Sequence, residues 1–148
     1  MKQQLDRFEQ QVEMLESLDR ADRIQMLIDI AGGFERVPTE IATRPYPSQH
    51  RVPGCESEAY VWTRRNEDGT LRFYFAVENP QGISAMALAA ILSSSLSGLS
   101  PERIATVSPD VIYRIFGREL SMGKSLGLMG MVNMVRAAAN QQLGVRHP

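Results

Sequence analysis

The chain has 148 residues, of which 43% are hydrophobic and 22% charged, and its formal net charge is -1. That length suits one domain spanning residues 1–148 with a single core, and the composition excludes the disordered and fibrous classes. The near-neutral balance supplies no basic field for a phosphate backbone or an anionic membrane, so nucleic acid and membrane are not expected partners.

The N-terminus is charged from Lys2 onward and has no uninterrupted apolar stretch before a small-residue cleavage site, so it does not read as a secretory signal. Leu5, Phe8, Val12 and Leu15 recur at helical spacing and predict an amphipathic helix over 3–16. A second helix is expected over 20–31, burying Ile24, Leu27, Ile28 and Ala31 and stopping at Gly32-Gly33. From 34 to 53 no period persists, and Pro38, Pro45, Pro47 and Pro53 break any regular element, so an ordered arm is expected. A loop this long in a compact domain is often functional, and this one delivers the chain to Gly54-Cys55.

Residues 59–65 and 70–77 are rich in aromatic and β-favouring residues and flank Asn66-Glu67-Asp68-Gly69, which predicts an antiparallel hairpin. Leu71, Phe73 and Phe75 give its second strand one apolar face. Arg64 and Arg65 read as the solvated end of the first strand. The uncharged run 83–99 is shorter than the ~20 apolar residues of a membrane span and contains five serines, so a buried helix over 81–97 is expected. Ser100-Pro101-Glu102 and Ser108-Pro109-Asp110 each read as a helix start. The last helix, over 125–142, places Leu128, Val132, Val135 and Ala139 on one stripe. The methionines around it, Met122, Met129, Met131 and Met134, read as adaptable core. The fold class is α+β: an N-terminal helix pair, a small antiparallel sheet and covering C-terminal helices.

Cys55 is the one cysteine, so the chain makes no internal disulfide, in agreement with a reducing compartment. Preceded by Pro53 and Gly54 and followed by a strand, it is expected at a turn that a large partner can reach. A thiolate there is able to attack a persulfide on another protein; the alternative is a small apolar filler. His50 is a candidate base for it, weighed against an exposed loop histidine. One Cys with His50 and His147 does not complete a zinc or iron–sulfur site, so no metal or other cofactor is expected. Asp19, Asp22 and Asp29 show no catalytic spacing.

The stretch HRVPGCESEAYVW at 50–62 resembles the signature of the SufE family, carried by Val52, Gly54, Cys55, Ser57 and Tyr60. The order of the remaining parts resembles it too: two leading helices, a proline-bearing arm, a hairpin, an uncharged helix, the 99–104 segment and a terminal Gly-Leu helix. The chain departs from the family pattern where Lys124 and Leu126 replace the usual Arg and Asn or Gln, and where Ala85-Met86 replaces a Lys-Gly step.

The resemblance implies a fold shared with cluster scaffolds of the IscU type. It also implies a cytoplasmic sulfur acceptor that takes persulfide sulfur from a PLP-dependent cysteine desulfurase onto Cys55, stimulates that enzyme, and passes sulfur to an iron–sulfur scaffold. Weak homodimerisation is a further expectation. Gly54, Ser57 and Lys124 belong to the surroundings of the thiol on this reading, and Arg51, Glu56 and Glu58, which flank the turn, are the expected partner contacts. The rival is a non-catalytic regulator that binds through its helical hairpin, with Cys55 a redox sensor or bystander.

Overall fold

The computed structural model describes residues 4–146, the side chains of 145 and 146 excepted, so His147 lies outside the described residues. Helix α1 (Arg7–Ser17) begins after Asp6, whose carboxylate accepts from the Glu9 N–H at 2.8 Å and satisfies one of the free amides of the first turn. Leu5 therefore precedes the helix and is exposed, while Phe8, Val12 and Leu15 are buried as expected, each contributing roughly 1.5–3 kcal/mol by leaving water.

Helix α2 (Arg20–Gly32) is capped in the same way by Asp19, which accepts from the Asp22 N–H. Only Leu27 and Ala31 of its expected stripe are buried; Ile24 and Ile28 are each 48% exposed. The helix touches its neighbours along a narrower strip than the apolar pattern suggested.

The arm from 34 to 53 carries one short 3-10 turn at Ser48–His50. Strands β1 (Ala59–Arg65) and β2 (Leu71–Val77) pair antiparallel with Val61 opposite Phe75 and Thr63 opposite Phe73. Their connection is one residue longer than expected, since Thr70 belongs to the turn and its N–H donates to Asp68. One sheet face, with Val61, Phe73 and Phe75, joins the main core.

The other face is closed by the arm: Val37, Ile41 and Tyr46 pack on Tyr60, Trp62 and Ala76. The arm is held there by the Val37 N–H donating to the Phe75 carbonyl at 2.8 Å and by a two-pronged Arg44–Glu78 pair, both contacts at 2.8 Å. Those bonds from Arg44 hold the Glu78 carboxyl below its ordinary range, against the opposing pull of burial.

Helix α3 (Ile83–Leu96) is the expected buried helix, with Leu88, Ile91, Leu92 and Leu96 inaccessible. Helix α4 (Pro101–Ala105) is capped by Ser100 as expected. Helix α5 (Val111–Phe116) starts later than its serine signalled, because the Ser108 hydroxyl accepts from the Asp110 N–H and holds a turn ahead of the helix. Helix α6 (Met122–Arg146) extends beyond both expected ends and buries Leu128, Val132, Val135 and Ala139. Met131 is core, but Met122 at the helix start is 80% exposed, which corrects the expectation for that residue. No helix among the described residues is long and apolar enough to cross a membrane.

Candidate functional site

The arm returns to the sheet just before Cys55, where the Val52 N–H donates to the Ala59 carbonyl at 2.8 Å and Arg51 bridges Tyr60. Between these residues the chain makes a tight excursion. The Glu58 N–H donates to the Cys55 carbonyl, and two left-handed residues bracket the thiol: Gly54 at φ 70° and Glu58 at φ 53°. Glycine occupies the first without a Cβ penalty; Glu58 bears one. The far side of the turn is pinned to the segment after β2, with the Glu78 and Asn79 N–H groups donating to the Glu58 and Ser57 carbonyls.

The turn is where the sequence predicts it, but Cys55 is not open to solvent: it is only 7% exposed. The cause is α6, which presents Gly123, Gly127 and Gly130 to the turn. A Cβ on Gly127 would lie 3.0 Å from Cys55 Cα and 3.4 Å from its Sγ, and one on Gly130 would lie 3.0 Å from Val52 Cγ1. Absence of side chains lets the helix backbone close over the thiol. Their spacing of four and three, which places all three on one helical face, is the signal in the sequence for this close approach.

Beside the thiol opens a cleft of about 350 Å³. Its walls are the Cys55–Ser57 turn, the first turn of α3 with Gly82 to Ala85, and the first turns of α6 with Gly123, Lys124 and Gly127. Ser57 and Gly82 meet closely, since a Cβ on Gly82 would come within 2.8 Å of the serine side chain. Two helix N-termini therefore face the cleft, and their partial positive charge and the Lys124 ammonium stand opposite the Glu56 carboxylate, which also lines it. Glu56 lies along Gly123 at the rim. Around the mouth, Ile83, Met122 and Leu126 are large exposed apolar side chains on the same two helix ends.

The other expected residues are distributed differently. His50 is no base for Cys55: its Nδ1 donates to the Val61 carbonyl at 2.9 Å, and its ring stacks on Trp62 with centroids 5.1 Å apart. Arg51 and Glu58 are exposed and do not line the cleft, whereas Gly54 shapes the turn by its backbone. Among the described residues no three His, Cys, Asp or Glu side chains are grouped to hold a metal ion. A roomier groove of about 520 Å³ lies between α1 and α4–α5. Several of its charges are engaged in ion pairs, Arg114 with Glu9 at 2.8 Å and Glu16 at 3.0 Å, and Arg103 with Asp6 at 2.6 Å. The Cys55 cleft joins a nucleophile to two helix N-termini and Lys124.

Comparison with known proteins agrees with this fold. No curated protein matches the chain. A solution structure described as that of a hypothetical protein from Thermus thermophilus is similar in fold, with a TM-score of 0.72 and 27% identity over 93% of this chain and 96% of that chain. The family model described as "SufE: Fe-S metabolism associated domain" matches residues 9–139, which include most of α1, all of α2, the arm, the Cys55 turn and most of α6. The chain belongs to the SufE family, whose domain is associated with Fe–S metabolism.

Proposed function

We propose that this protein is a sulfur acceptor that carries one sulfane sulfur on Cys55 between a PLP-dependent cysteine desulfurase and an iron–sulfur scaffold in the cytosol. The desulfurase does the carbon–sulfur chemistry and presents a persulfide, and engaging it stimulates its turnover. The Cys55 thiolate attacks the terminal sulfur; the new S–S bond forms as the donor's S–S bond breaks, and the donor cysteine leaves as a thiolate. No electrons are gained or lost overall, so the step needs no redox cofactor.

The observation that carries this reading is the cleft beside Cys55, large enough for an added sulfur and walled by two helix N-termini and Lys124. A persulfide held there is kept from bulk reductants. The same burial requires the 53–58 turn to swing out during exchange, and the left-handed residues Gly54 and Glu58 are its natural pivots. Ile83, Met122 and Leu126 at the mouth, with Glu56 and Lys124, form the surface a partner would cover.

The test is incubation with a desulfurase and free cysteine, followed by intact-mass analysis. The chain should gain one sulfur atom, mapped to Cys55 and removable by reductant, while a folded Cys55→Ser gains none. If a desulfurase that demonstrably binds the protein leaves Cys55 unmodified, and the Ser variant stimulates turnover as well as the native chain does, the acceptor reading is wrong and the regulatory one stands.

A further inference from the structure

The segment leading into Cys55 pairs with only half of β1. The Ala59 carbonyl accepts from the Val52 N–H, and the Val61 carbonyl accepts from His50 Nδ1. Backbone groups of alternate strand residues point to the same side, so Thr63 and Arg65 turn their N–H and C=O groups to that same edge, away from β2. Among the described residues, no hydrogen bond reaches these groups. A strand edge left open in this way is a template for another backbone.

The edge forms one wall of a groove of about 500 Å³, whose other wall is the C-terminal half of α6 with Met134, Ala137 and Gln142. Among the described residues no carboxylate lines the groove, while Arg65 and His50 do. Gln142 adds an independent signal: its side-chain nitrogen is buried without an acceptor among the described residues. Unspent donors, a guanidinium and an open strand edge converge on one type of occupant.

We propose that the open edge of β1 takes an extended acidic peptide segment of a partner protein as an additional strand. Only a peptide offers alternating C=O and N–H groups at strand spacing, and a carboxylate on it meets Arg65 while a carbonyl or carboxylate oxygen meets Gln142. A second copy of this chain fits poorly, because edge-to-edge pairing would bring Arg64 and Arg65 of both copies together. The proposal stands on the edge and the groove and does not depend on sulfur transfer through Cys55.

The experiment uses the full ¹⁵N-labelled chain and a capped heptapeptide of alternating Thr and Glu. Expected are amide shifts and slowed exchange at Thr63 and Arg65 and along 137–142, with a dissociation constant that is millimolar or tighter. A peptide N-methylated at every amide should not bind, a Lys-for-Glu peptide should bind more weakly, and Arg65→Glu should weaken the acidic peptide about tenfold with an unchanged melting temperature. Absence of binding, equal binding of the N-methylated or Lys peptides, shifts confined to the Cys55 cleft, or peptide-independent dimerisation through β1 would each overturn the proposal.

Discussion

Replacing Gly127 by Ala tests whether α6 truly seals the thiol. The new methyl carbon would stand 3.0 Å from Cys55 Cα, 3.2 Å from its Cβ and 3.4 Å from Sγ, so the turn or the helix has to yield by a few tenths of an ångström. Overpacking of this kind costs about 1–3 kcal/mol. The helix recovers about 0.5–1 kcal/mol from losing a glycine. The balance is a loss of about 1 kcal/mol, or a melting temperature lower by about 4 °C for a chain of this size. Because the turn is the more yielding side, Cys55 should also react several-fold faster with a thiol reagent. Gly144→Ala is the control, since a Cβ there meets nothing within 4 Å and changes helix propensity alone. A Gly127→Ala protein with native thiol reactivity and an undiminished melting temperature would refute the close approach of α6 to Cys55.

Asp6→Ala removes both the cap of α1 and the partner of Arg103, so denaturant unfolding should show a loss of about 1–2 kcal/mol; an unchanged midpoint would show that neither contact matters. Glu78→Gln tests the arm clamp through pH. The folded carboxyl lies below its ordinary range, so its contribution is present at neutral pH and lost as pH falls through the folded value. Native protein should therefore be the more stable at neutral pH, and the difference should shrink once pH falls below the ordinary carboxylate range and disappear only in stronger acid, below the folded value. A difference in melting temperature that persists unchanged into strong acid would contradict the clamp.

Elements were legible where local chemistry decides them. Ser100 satisfies a first-turn amide as its Ser-Pro-Glu sequence predicts, whereas Asp6, the cap of α1, falls inside the span expected from periodicity alone; the alternation of Leu71, Phe73 and Phe75 settles which face of β2 joins the main core. What escaped depends on approach between distant segments. Ile24 and Ile28 share the period of Leu27 and Ala31, but periodicity locates a stripe without giving its width, and the neighbours of α2 cover only part of it. Burial of Cys55 was hidden for the same reason: its own surroundings, Pro53 and Gly54, suggest an open turn, and the cover comes from glycines in the last helix. His50 misled by nearness along the chain, since the 3-10 turn carries its ring to β1 and away from the thiol. Lys124, known only from the resemblance, does line the cleft.

The continuous α6 also limits how this chain tolerates changes of length. A residue inserted within a helix rotates everything after it by about 100° relative to what comes before. Placed between Gly123 and Val132, such an insertion would throw either the glycine row off the thiol or the apolar row off the core, because the two rows share one rigid phase. Drift in length is left to segments that carry no such phase, the arm and the 117–121 connection ahead of α6, so the reading frame of the last helix is in effect part of the Cys55 site.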